Sequence, residues 1–146
     1  MQVKRKALIV IYLLVGVTGL IGTWSNNIAY LGEGRSFLAV NQLFWQETLT
    51  SPASRSITID ILCLALPVLV WMFLEARRLG MKGIWLYYLA CIFIAAGAAI
   101  PFFLAHREKS LDDTSADSYT LAIADVIGLL LLGSAIGGYI WLAVGR

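Results

Sequence analysis

Residues 57–74 read ITIDILCLALPVLVWMFL, and the charged stretch Glu75-Ala76-Arg77-Arg78 follows at once. As an α-helix, a run of this length approaches the ~20 residues that cross a ~30 Å hydrocarbon layer at about 1.5 Å per residue. A helix on the surface of a soluble domain shows a polar face every turn, whereas this run carries a single charge, Asp60. The stretch therefore predicts a membrane-spanning helix. Ser54 or Ser56 can cap its start. Pro67, near its middle, removes one backbone donor and predicts a kink, which helices in membranes tolerate better than helices in water.

Three further apolar blocks lie outward from this one, at about Ala7–Trp24, Ile84–Leu104 and Leu121–Val144. Of the 146 residues, 60% are hydrophobic and 14% charged, with a mean hydropathy of +0.80. Soluble domains carry about 25% charged residues. The expected fold is an all-α membrane protein, a bundle of four transmembrane helices in a single domain. Lys4, Arg5 and Lys6 precede the first block as they would in a signal peptide. That block exceeds the usual ~7–15 apolar residues, and no small-x-small site follows Trp24, so a retained helix is expected. Leu79–Gly83 is a short hinge, which makes the second and third blocks antiparallel neighbours. In the first connection, Ser25–Ser56, Phe37, Val40, Leu43 and Phe44 recur at near-helical spacing. They predict a short amphipathic helix from about Arg35 to Glu47, in the interface or capping the bundle; the alternative is a loop with aromatic anchors. Trp85, Tyr87 and Tyr88 open the third block as an aromatic belt would.

Orientation follows from the basic residues. In a four-crossing chain with both termini in the cytoplasm, the inner segments hold Lys4, Arg5, Lys6, Arg77, Arg78, Lys82 and Arg146, and the outer loops hold Arg35, Arg55, Arg107 and Lys109. That bias predicts N-in and C-in, with His106–Thr120 outside, in a bacterial cytoplasmic (or thylakoid) membrane. No basic cluster reads as a nucleic-acid surface, and the expected partners are membrane lipids and other membrane-protein subunits.

Chemistry-bearing residues are few. Asp60 and Asp125 each sit near the start of an apolar block, where an ionisable group points to function by default. On the four-crossing topology both lie at similar outer depth, so they could share a site for a cation, a proton or an amine. Equally, each could be a first-turn carboxylate favoured by the helix dipole. Asp60, Pro67, Trp71 and Arg78 share one helix face, either lining a ligand or facing the bundle. Glu75 and Arg78 are spaced to pair. Gly16 and Gly19, and the pair Gly133 and Gly137, read as helix-packing positions, within the chain or against another subunit. Cys63 and Cys91 read as free thiols. His106 has no second histidine to complete a metal site. No catalytic or phosphate-binding motif is present, and no cofactor or metal is expected.

Ile59-Asp60, Trp71-Met72, Glu75-Ala76-Arg77-Arg78-Leu79-Gly80-Met81, Trp85, Tyr87-Tyr88 and Ile100-Pro101-Phe102-Phe103-Leu104 with Arg107-Glu108 together resemble a bacterial family catalogued as domain of unknown function 2834. Trp24, Asn26, Asn27 and Tyr30 fit the same pattern. The resemblance implies a small four-helix membrane protein and transfers no catalytic residue. A looser, architectural likeness is to the EXPERA families of sterol isomerases and sigma-2 receptors, which also place an acid before a proline in a second helix, as Asp60 and Pro67 stand here. Three function classes are expected: a non-catalytic subunit or assembly factor of a larger membrane complex, a binding protein for a lipid, pigment or other apolar ligand lined by Asp60, Pro67 and Trp71, or a transporter or intramembrane enzyme.

Overall fold

Ser51 starts the longest helix. Its hydroxyl accepts the Ser54 amide at 3.0 Å while Ser54 Oγ takes the Ser51 amide at 3.1 Å, and Pro52 follows in the first helical turn, where its missing donor costs nothing. In this computed structural model, which describes residues 2–111, 118–120 and 122–144, that helix is α3, Pro52–Arg78, 27 residues long. It continues through Pro67. Before it lie α1 (Arg5–Asn27), a 3₁₀ segment (Ile28–Gly34) and α2 (Phe37–Glu47). Ser36 caps α2 by accepting the Ala39 amide. A helix thus occupies the segment where the spacing predicts one. Gly80 and Gly83 take left-handed backbone, φ 64° and 80°, and turn the chain from α3 into α4, Ile84–Ala90.

By length and composition, three helical stretches can cross a membrane: Arg5–Leu31, Pro52–Arg78 and Ile84–Ser110. The third does not run straight. Tyr87 Oη lies 3.1 Å from His106 Nδ1, and the Tyr87 and Phe103 rings are 5.5 Å apart. On a straight helix Tyr87 and His106 would be about 28 Å apart. The stretch doubles back at Ala95, whose backbone is extended (φ −169°, ψ 121°), after a single π turn, Cys91–Ala95. The returning arm is α5, Ala96–Ser110. The expected single crossing from Ile84 to Leu104 is therefore corrected to a helical hairpin, each arm shorter than the ~20 residues a crossing needs.

α5 returns along α1 in antiparallel fashion. Arg5 Nη1 donates to the Leu111 carbonyl at 3.4 Å, Phe102 fills the space beside Gly16, and Trp24 Nε1 donates to the Ile94 carbonyl at 3.2 Å. At the centre, Gly19 lies against the backbone carbonyl of Gly97, leaving no room for a Cβ. Pro101 explains why that carbonyl is available: it is the residue whose amide would have bonded Gly97 within the helix. Backbone contact of this kind, with small residues on both sides, is how helices approach in lipid.

The reversal resets the topology. Strand β1 (Gln2–Lys4) pairs antiparallel with β2 (Ser118–Thr120), Val3 opposite Tyr119, so the chain beyond α5 lies at the same end as the N-terminus. Helix α6, Ile123–Val144, starts there, and its distal part reaches the other end of α1, with Gly137 and Trp141 beside Thr18 and Gly22. The four-crossing reading expects 106–120 at the end opposite the N-terminus, whereas this pairing sets Ser118–Thr120 beside Gln2–Lys4; residues 1, 112–117, 121, 145 and 146 lie outside the described set. Lys4, Arg5, Lys6, Arg77, Arg78, Lys82, Arg107 and Lys109 gather at one end, against Arg35 and Arg55 at the other. The hairpin makes the charge asymmetry steeper than a four-crossing chain would.

A small core forms at the basic end, where Met72, Ala76, Ile84 and Phe103 are buried among Val68, Leu69, Tyr87 and Tyr88. Most other large apolar side chains face outward, Leu14, Leu64, Leu86 and Leu131 among them, the pattern of a surface whose solvent is hydrocarbon.

One measurement checks the hairpin. With Cys63 and Cys91 replaced by serine, Lys6→Cys and Ser110→Cys will react with a membrane-impermeant maleimide from the same side, and Ser51→Cys from the other. Labelling of Lys6→Cys and Ser110→Cys from opposite sides would restore the straight crossing.

Candidate functional site

Two polar features remain once the apolar surfaces are assigned. The first is a line of four charges at the basic end. Glu75, only 7% exposed in the last turn of α3, accepts Arg78 Nε at 2.7 Å and Nη2 at 2.6 Å, and also Arg107 Nε from α5 at 2.7 Å. Arg107 Nη1 donates to Glu108 Oε1 at 2.6 Å. Glu108 is 2% exposed, and its second carboxylate oxygen is buried without a hydrogen-bond partner among the described residues. The signs alternate and sum to zero, and the Glu75–Arg107 pair holds α3 against α5. Sequence spacing found the Glu75–Arg78 contact. It could not find Arg107, because that contact exists only if the chain reverses between them.

The second feature is at the other end. The hairpin tip, Cys91 to Ala96, stops short of the end of α1. It leaves a cavity of about 240 Å³ that α2 partly covers, with Trp24, Asn27, Asn41, Phe44 and Trp45 among its walls. Trp24 stacks on Phe37 at 6.4 Å between centroids, and Phe37 meets Phe93 of the hairpin at 6.5 Å, so an aromatic chain ties α1, α2 and the tip together. Tyr30 donates to Glu47, fastening the 3₁₀ segment to the end of α2. No group of three or more His, Cys, Asp or Glu side chains placed to hold a metal occurs among the described residues.

The structure does not join Asp60 and Asp125. Asp60 is exposed on the part of α3 far from the basic end. Asp125 Oδ2 accepts the Ala122 amide at 2.8 Å and caps the start of α6, at the basic end. The shared acidic site is therefore corrected to two unrelated positions; the hairpin moved the start of α6 to the end where α3 finishes. Pro67 is exposed, and Trp71, 41% exposed, sets its ring edge-on to Phe103 at 6.0 Å in the core. Neither lines a described cavity with Asp60. The glycines divide: Gly16 and Gly19 are filled by α5, whereas a Cβ at Gly133 or Gly137 would meet nothing within 4 Å. Cys63 and Cys91 are free thiols.

A small helical chain with two apolar helices, α1 and α3, long enough to cross a bilayer, a third apolar stretch folded into a hairpin and its apolar side chains turned outward is a membrane protein. The chain belongs to the family described as Protein of unknown function DUF2834, whose model matches residues 11–109. The match runs from within α1 to the end of α5, so it contains both the charge line and the cavity; α6 lies beyond it. No curated protein and no solved structure matches the chain, and the EXPERA likeness is not shown.

Proposed function

We propose that this protein is a non-catalytic integral membrane subunit or stabilising factor of a larger membrane complex, with its basic end in the cytoplasm, its far end outside and α2 lying at the outer interface. The observation that carries this reading is α6. From Ile123 to Gly138 its described side chains are exposed, Val126 alone being half-covered, and Gly128, Gly133, Gly137 and Gly138 have open space where a Cβ would stand. In the same chain, Gly16 and Gly19 have the same small-residue character and are covered by α5. A seam of glycines on an apolar helix lets another helix approach closely. The basic end supports the orientation through the positive-inside bias.

Extraction in a mild detergent with an affinity tag on the chain tests this. The native chain is expected to retain a stoichiometric membrane partner. The double variant Gly133→Leu/Gly137→Leu should lose it while remaining monodisperse and helical. A native chain that purifies alone, or a variant that keeps its partner, would refute the reading.

A further inference from the structure

We propose that the cavity over the hairpin tip, together with the groove that continues from it, binds a neutral membrane lipid with a flat, hydrogen-bond-accepting ring, of the quinone class. The inference goes beyond a docking role for α6 and uses a different part of the molecule.

The argument starts from the backbone. Non-helical backbone at membrane depth persists only where it is buried in protein or lines a polar cavity, and interrupted helices in membrane proteins point to binding sites. Here the interruption at Ala95 lines the cavity itself, and Trp24 satisfies one of the carbonyls it releases. The lining supplies the chemistry. Among the described residues no charged side chain borders the cavity, which argues against a phosphate headgroup, since a buried anion needs a cation or several donors. Asn27, Asn41 and Thr23 offer amide and hydroxyl groups. Asn41 spends one N–H on the Phe37 carbonyl at 3.0 Å and keeps a second donor. Trp24, Phe44, Trp45 and Phe93 supply aromatic surface against which a flat ring can stack.

Size and continuity narrow the ligand further. A dry cavity of about 150 Å³ admits benzene, so 240 Å³ suits one substituted ring. The adjoining groove, about 290 Å³, shares Phe44, Trp45 and Ile61 with the cavity and continues along Ile57 and Leu62 of α3. Among the described residues it too has no charged lining, and it gives an apolar tail a path toward lipid. A ring carrying two carbonyl oxygens with a hydrocarbon tail matches both compartments: the oxygens accept from the amides, the ring stacks and the tail follows α3.

The full-length chain in detergent micelles, titrated with a decyl-substituted para-benzoquinone, tests this through quenching of tryptophan emission. Saturable quenching is expected, and it should survive Trp85→Phe, which removes a reporter packed on Phe73 at the basic end. Asn27→Leu/Asn41→Leu should weaken it about tenfold, the loss of two neutral hydrogen bonds. Ala96→Phe, which fills the cavity, should abolish it, and helical circular dichroism should show both variants folded. A polyprenol, with the same kind of tail and no ring, should fail to displace the quinone. Quenching that stays linear, variants that bind as the native chain does, or displacement by the polyprenol would each overturn the proposal; should either variant unfold, the saturation and polyprenol arms on the native chain decide it alone.

Discussion

Glu75→Ala will lower the stability of the protein by about 2–3 kcal/mol, less than the ~3–5 kcal/mol seen when a fully buried ion pair loses one partner. The size follows from the environment of each charge. Glu75 is 7% exposed and bonds both Arg78 of its own helix and Arg107 of α5. Its removal takes the Glu75 carboxylate from Arg107, whose side chain is 21% exposed and which keeps its bond to Glu108. Arg78 is 60% exposed and can turn to water, which keeps the cost below the fully buried case. Arg78→Ala will accordingly cost distinctly less than Glu75→Ala. The double variant Glu75→Met/Arg107→Met should recover most of the loss, because well-packed apolar groups often replace a buried pair without penalty. Thermal unfolding in micelles, followed by tryptophan fluorescence, measures all three. Equal effects of Glu75→Ala and Arg78→Ala would show that Arg107 contributes nothing to the contact.

Gly19→Leu will have the larger structural effect. An added Cβ at Gly19 meets the backbone of Gly97, and backbone cannot step aside as a flexible side chain can. Overpacking a tight site costs about 1–3 kcal/mol, and a full leucine between two backbones belongs at or above the top of that range. The variant should lose the α1–α5 contact and, with it, the same-side placement of Lys6 and Ser110. The control lies in the same chain. Gly133→Ala has open space around its new Cβ, and replacing glycine in a helix favours folding by up to about 1 kcal/mol. It should be neutral or mildly stabilising in the isolated protein. If Gly19→Leu is as well tolerated as Gly133→Ala, the antiparallel packing of α5 on α1 is not the native one.

Much of this molecule was legible residue by residue. Hydropathy placed the apolar blocks, the spacing of Phe37, Val40 and Phe44 placed α2, and Gly80 and Gly83 marked the turn into α4. The i, i+3 spacing paired Glu75 with Arg78, and the small residues of α1 marked a packing face. Each of these depends on neighbours within a few turns, so the local sequence is sufficient. Glu75 with Arg107, Gly19 with Gly97, the cavity over the tip and the separation of Asp60 from Asp125 were not legible, and all trace to one event, the reversal at Ala95. Hydropathy measures how much apolar surface a segment offers to lipid, and two short antiparallel arms offer as much as one long helix. The stretch Ala95-Ala96-Gly97-Ala98-Ala99 and the following Pro101 permit the reversal by removing side chains and one backbone donor, but they do not require it. The sequence by itself determined that this chain belongs in a membrane and which of its faces are apolar. Only the tertiary structure decided the direction of the chain after Ala95, because that choice is made by backbone contact with α1, across a separation that no local pattern encodes.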